Sequence, residues 1–210
     1  MTRPSQDIDK KLIKAGKELL QLKGATLLTI REVAEKAGVN LGMFNYHFGT
    51  KQVFVEKIIE SIYEEFFSRF TIEVEKETNC LEQLKNAVLS IAVFVRENRK
   101  LIESFIEDII LGNKEIIAFV GKNMTRHVIV IIKLIKQCQK QGYIIKAPLY
   151  NVVPVILASV VGPNLILRVA EKHVFNGKAL KLLYKSISSQ VISDKAINQR
   201  LDIVLKGLTP

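Results

Sequence analysis

Thr29–Lys51 reads TIREVAEKAGVNLGMFNYHFGTK, and its interpretation decides the fold. Thr29 is a good N-cap, with Glu32 three residues later at capping-box spacing. Ile30, Val33, Ala34 and Ala37 put apolar groups on one face of a short helix. Gly38 follows where a helix C-terminus needs left-handed backbone. Val39 plugs the turn, and Asn40 caps a second helix whose inward face is Val39, Phe44 and Phe48. Its outward positions are then Asn40, Leu41, Met43, Asn45, Tyr46 and His47. Two short helices joined through a glycine turn form the arrangement that lays a recognition helix in a DNA major groove.

The typed positions Thr29-Ile30-Arg31-Glu32-Val33-Ala34, Ala37-Gly38-Val39-Asn40, Gly42, Tyr46-His47-Phe48 and Lys51 resemble the signature of TetR-family transcriptional regulators. The resemblance covers about a quarter of the chain and is specific, because many residue types agree in order. It implies an all-α fold: an N-terminal three-helix domain with the helix-turn-helix, residues 1–50, and a larger C-terminal helical bundle, residues 51–210, for ligand binding and dimerisation. Phosphate contacts fix register and base contacts read sequence. Thr29, Tyr46, His47 and Lys51 are the phosphate candidates, through hydroxyl, imidazole and ammonium donors and the free N–H groups of a helix N-terminus. The resemblance assigns matching positions the same work. Arg31, Asn40, Leu41, Met43 and Asn45 are base-edge candidates: Arg pairs with guanine, Asn with adenine, and the apolar pair meets thymine methyls. Gly42 lets the helix backbone approach closely. Met43 and Asn45 stand where the family varies most, and there they tune the operator.

Composition agrees with a polyanionic partner. The 210 residues carry a net charge of +10 and a pI of about 9.6. Residues 1–51 hold nine Lys or Arg against five Asp or Glu, and residues 52–210 hold 22 against 16, so positive charge is denser at the N-terminus. The basic excess of the remainder reads as a solvated surface. Cys80 and Cys138 lie far apart in sequence, nothing reads as a secretory leader, and the expected compartment is the cytoplasm with reduced, buried thiols. The longest apolar stretch, Val152–Leu167, contains Pro154, Ser159, Gly162, Pro163 and Asn164, and reads as too short and too broken for a membrane span.

Helix periodicity runs through the rest of the chain. A mobile arm, Met1 to about Ser5, is expected before a helix from about Gln6 to Lys23. That helix buries Ile8, Leu12, Leu19 and Leu22, turns Lys10, Lys11, Lys14 and Lys17 outward, and ends at Gly24. Thr50 caps a helix to about Thr71, with Phe54, Ile58, Ile62, Phe66 and Phe70 as its stripe. By the resemblance, this helix connects the two domains and swings when a ligand binds. Leu81, Leu84, Val88, Ile91 and Val95 mark the next helix; Ile102, Phe105, Ile106 and Ile109 mark a short one ended by Gly112. Asn113 then caps a single long helix to about Gln141, apolar nearly all round from Val128 to Ile135 and so expected at the centre of the bundle. Asn151 caps a helix with Pro154 in its first turn and a kink, or the end of its first half, at Pro163, continued by Leu165, Leu167 and Val169 to about His173. A turn at Asn176-Gly177 precedes helices at Lys178–Val191 and about Lys195–Leu208, the latter capped by Ser193 or Asp194.

The effector pocket is expected in the C-terminal bundle, lined by Phe94, Phe105, Phe119, Met124, His127, Val128 and Ile131. Such a lining suits a hydrophobic or amphipathic small molecule. No Cys, His or carboxylate cluster has metal spacing, and no metal or other cofactor is expected. Neither a Gly-x-Ser-x-Gly, a phosphate-binding glycine loop, an HExxH nor a Cys-x-x-Cys occurs, and Ser186, Ser188 and Ser189 have no base nearby in sequence, so no enzyme is expected. The reading is a repressor released from a pseudo-palindromic double-stranded operator by its effector, working as a homodimer. The resemblance places the dimer interface in the final helices, without saying which. The same fold serves an activator, or an interaction module that has lost DNA reading; an acidic or apolar recognition face would mark the latter.

Overall fold

Residues 4–123, 125–173 and 178–210 are described by a computed structural model, and within them the chain forms eleven helices and no strand. These are α1 (Pro4–Leu27), α2 (Ile30–Ala37), α3 (Leu41–Phe48), α4 (Lys51–Glu75), α5 (Cys80–Glu97), α6 (Arg99–Ile110), α7 (Lys114–Asn123), α8 (Arg126–Lys140), α9 (Leu149–His173), α10 (Lys178–Val191) and α11 (Asp194–Gly207). The all-α class and the helix-turn-helix agree with the sequence reading. Of the expected N-terminal arm, residues 1–3 lie outside the described residues, and Pro4 and Ser5 already belong to α1. The expected turn at Asn176-Gly177 lies outside them as well.

By packing, the chain divides into two units: residues 1–66 with 100–119, and residues 67–99 with 120–210. The division falls inside α4, whereas residue 50 marks only the end of the helix-turn-helix. In the first unit, Leu12 and Leu20 of α1, Val33 of α2, Phe44 of α3 and Phe54 and Ile58 of α4 are buried. Gly16 lets α1 pass against α4: a Cβ there would come within 2.6 Å of Phe54 Cζ. Helical conformation in α1 is interrupted at Gly24, with φ 78° and ψ 172°, so the backbone turns where the sequence places the stop. Leu22 departs from expectation. It is 63% exposed, and Leu20 supplies the buried contact instead, because a helical step of two residues points them to different faces.

The second unit is built on α5, which packs against α8, α9 and α11. Its core takes Leu84, Val88, Ile91 and Val95 from α5, Ile131 and Ile135 from α8, and Val152, Ile156 and Val160 from α9. Cys80 and Cys138 are both buried, with their sulfurs 2.7 Å apart. Burial pushes the Cys138 thiol well above its ordinary range, with the Cys80 sulfur adding to it, so neither thiolate nor nucleophile is favoured.

Three expectations are corrected here. The long helix from Asn113 to Gln141 is two helices, α7 and α8, interrupted at Thr125. Asn113 does cap the first, accepting from Ile116 N at 3.2 Å, while Thr125 makes no side-chain cap. Within α8 the apolar run is not enclosed on all sides. Ile131, Leu134, Ile135 and Cys138 are buried, and Ile129 on the opposite side is 50% exposed. Finally, α9 begins at Leu149, ahead of Asn151, and passes through both Pro154 and Pro163 without a stop. Leu149–Leu167 is therefore a continuous apolar helix of 19 residues, long and apolar enough by those measures to cross a membrane. It packs against α5, α8, α10 and α11, but only 22% of that stretch is buried.

The passage through Pro163 has a local cause. A proline inside a helix removes the N–H that would reach the carbonyl four residues back, here Ser159. Arg200 of α11 fills that gap: its Nε donates to Ser159 O at 3.1 Å, and its Nη1 donates to Val191 O at the end of α10 at 2.8 Å. One guanidinium thus satisfies two orphaned carbonyls and joins α9, α10 and α11. Burial lowers its pKa from the ordinary value, but the group stays protonated.

Candidate nucleic-acid interface

The helix-turn-helix is held by polar closures at both ends of α2. Glu32 N donates to Thr29 Oγ1 at 3.3 Å, and the Glu32 carboxylate accepts from Thr29 N at 3.2 Å and from Thr29 Oγ1 at 2.5 Å. That carboxylate also meets Lys23 Nζ of α1 at 2.5 Å. The Lys23 hydrogen bond, then the Thr29 hydroxyl, hold its pKa below the usual value. Gly38 ends α2 in the left-handed region at φ 63°, and its N–H and that of Val39 close the last turn. Lys36 and Glu18, 3.0 Å apart, tie α2 back to α1.

Asn40 caps α3, its Oδ1 accepting from Gly42 N at 2.7 Å. Phe44 is buried and packs edge-on against Phe54 of α4, ring centres 4.8 Å apart; Phe48 makes the same contact at 4.8 Å. These rings fix the rotation of α3, and the rotation decides what faces solvent. Asn40, Leu41, Gly42, Asn45 and Tyr46 are exposed, Tyr46 at 81%. Met43 is half-buried at the edge of this face, and Arg31 is exposed on α2. Lys51 begins α4 and is half-buried.

Two expected site residues are placed differently. His47, read as outward, is turned in: its side chain is 6% exposed and its Nδ1 lies 2.6 Å from Asp9 Oδ1 of α1. Its Nε2 is buried without a hydrogen-bond partner. The cause is geometric, since each helical step rotates by about 100° and Tyr46 already takes the outward direction. Thr29, expected to offer a helix N-terminus to phosphate, has hydroxyl and N–H both engaged by Glu32, so a carboxylate of the same chain already sits at that N-terminus. Asp9 was missed in the sequence, where an acidic residue on a lysine-rich helix carries no mark of its own.

The expected effector residues fall in both units. Phe105 and Phe119 belong to the first unit; Phe94, His127, Val128 and Ile131 belong to the second; Met124 lies outside the described residues. A cavity in the first unit takes only Phe119 from the seven. In the second unit, Ile131 is fully buried and His127 packs edge-on to Phe70 at 6.4 Å. Burial lowers the His127 pKa from 6.5 to about 4, so its imidazole is neutral.

Residues 12–58 match the family of bacterial regulatory proteins described as tetR. The N-terminal domain is a TetR-family domain. No curated protein matches the chain, but many solved structures share its fold. A TetR-family transcription regulator from Marinobacter aquaeolei superposes with a TM-score of 0.65 at 12% identity, covering 99% of this chain and 98% of that one. The fatty acid degradation regulator FadR from Bacillus halodurans gives 0.63 at 16% identity, covering 88% and 98%. FadR from Bacillus subtilis, solved in complex with stearoyl-CoA, gives 0.63 at 13% identity, covering 88% and 97%. The TetR-family fold thus extends beyond the matched domain to the C-terminal helices.

Proposed function

We propose that the chain is a sequence-specific DNA-binding transcriptional regulator of the cytoplasm, acting as a homodimer and released from a pseudo-palindromic operator by a small effector. The observation that carries this reading is the exposed face of α3, where Asn40, Leu41, Gly42, Asn45 and Tyr46 stand together on a helix anchored from behind by Phe44 and Phe48. The face is polar with one aliphatic side chain, which suits base edges and phosphates and argues against an interaction module. Lys10 and Lys14 of α1 and Arg31 of α2 add exposed positive charge in the same unit. Base-edge roles fall to Arg31, Asn40, Leu41, Met43 and Asn45. Phosphate roles fall to Tyr46 and Lys51, with Thr29 and His47 contributing only if their present partners are exchanged.

The dimer is assigned to α9 and α10. Tyr150, Val155 and Ile166 of α9 are exposed, as are Leu180, Leu182, Leu183 and Ile187 of α10. The apolar side of α11 is by contrast turned inward, with Ile197, Leu201 and Leu205 buried. A second copy covers an apolar patch of this extent in a self-complementary, twofold contact. Effector release draws on the stearoyl-CoA complex of the Bacillus subtilis regulator, and repression on the simplest consequence of occupying an operator.

Selection of bound sequences from a random duplex library, with wild type and Tyr46→Ala in parallel, tests the reading. A pseudo-palindrome enriched by wild type, with far less duplex of any sequence retained by the variant, is the expected result. No enrichment by a folded, dimeric wild type would sink it.

A further inference from the structure

The first unit holds a largely open cavity of about 380 Å³ beside the first two turns of α4, within the size range of small-molecule sites. Its apolar walls are Val55 and Ile59 of α4 with Ile116 and Phe119 of α7. Two carboxylates also line it, Glu56 of α4 and Asp108 of α6, against one ammonium, Lys51. Glu56 accepts a hydrogen bond from Gln52 Nε2 at 3.3 Å. Among the described residues neither Glu56 nor Asp108 makes an ion pair, and the Asp108 carboxylate has no hydrogen-bond partner. Asp108 is half-buried, so it is partly stripped of water without a counter-charge, an unfavourable state that a cation would relieve.

We infer that this cavity binds an amphipathic organic cation. Its apolar body lies against Val55, Ile59, Ile116 and Phe119, and its ammonium group lies between Asp108 and Glu56. An anionic amphiphile fits less well, since two carboxylates outnumber the single lysine. The inference deepens the effector reading above and rests on it only for its regulatory meaning. Lys51 gives the link, because the residue that begins α4 both lines the cavity and is a phosphate candidate.

The test is calorimetric titration of the full-length protein, without DNA, with 4-phenylbutylamine, 4-phenylbutanol and 4-phenylbutanoate at neutral pH. The amine is expected to bind about tenfold more tightly than the alcohol, the scale of one charged hydrogen bond, and the acid more weakly than either. Asp108→Asn should bring the amine to the level of the alcohol and leave the alcohol unchanged. Ile116→Trp, which fills the cavity, should lose both; if that variant fails to fold, the isosteric Asp108→Asn decides alone. Equal affinity for amine and alcohol, tighter binding of the acid, indifference to Asp108→Asn, or no binding of any probe would each overturn the proposal. Because no DNA is present, these failures leave the operator reading standing, and a failed operator selection leaves the site standing.

Discussion

Asn45 and Tyr46 are adjacent on α3 and both exposed, yet their chemistry separates their effects. An amide can donate to and accept from one base edge, so Asn45→Ala is expected to relax preference at a single operator position by about 1–3 kcal/mol. A phenol that reaches phosphate reads no sequence, so Tyr46→Ala should weaken every duplex alike. Binding to the selected duplex and to single-base variants at matched salt distinguishes the two, and equal, sequence-blind losses would refute the division. These positions were legible because the stripe Val39, Phe44 and Phe48 fixes which side of α3 is inside. His47 was not, since its inward turn depends on Asp9 across a tertiary contact that no local spacing announces. His127 was legible as a polar residue on an apolar face, and its consequence is measurable. With its folded pKa lowered to about 4, the unfolded chain binds the extra proton between pH 6.5 and 4. Stability is then complete above pH 6.5 and falls by about 1.4 kcal/mol per pH unit below it. Denaturant melts at pH 7, 6 and 5 should show this slope, and His127→Gln should flatten it; parallel curves would remove His127 as the cause.

Helices were legible where apolar period and caps coincide. Gly24, Gly38 and Gly112 all adopt positive φ at the ends the sequence assigned them. The break between α7 and α8 was not legible, because periodicity continues across residues 124–125 and no proline or capping side chain marks it. At α9, where Pro163 reads as a kink or a stop, the helix runs on through it to His173, as its apolar period indicates. Sequence rules count the hydrogen bond that Pro163 removes, but Arg200, on a helix far along the chain, replaces it. Arg200→Met is therefore expected to destabilise the protein by about 2 kcal/mol, leaving the carbonyls of Ser159 and Val191 without their donor. Pro163→Ala restores an N–H for Ser159. In the Arg200→Met background it should recover part of the loss, while in wild type it should gain little. A double-mutant cycle read from denaturant melts measures that coupling. Additive effects would mean that Arg200 acts through Val191 or through packing alone.

A reading head of two short helices carries few contacts, so specific operator binding depends on two heads held at a fixed spacing. The tether proposed for them, α9 and α10, was only half legible. Apolar terminal helices indicated a covering partner, but all three last helices looked alike, and only the packed fold separates α11, whose apolar side is spent inside its own unit, from α9 and α10. Leu183 stands in the exposed row Leu180, Leu183 and Ile187 on α10, which belongs to a different unit from α3. A charge there would be buried without a partner in a twofold contact, and twice over, since each copy supplies one. Leu183→Glu should therefore give a folded monomer by sedimentation at micromolar concentration. Affinity for the full pseudo-palindrome should fall by about 10²-fold or more, the loss of avidity on unlinking two sites, while affinity for an isolated half-site stays unchanged. A variant that remains dimeric would move the interface off α10. A monomer that binds the full site as tightly as wild type would show that one head suffices, and the twofold operator would have to be abandoned.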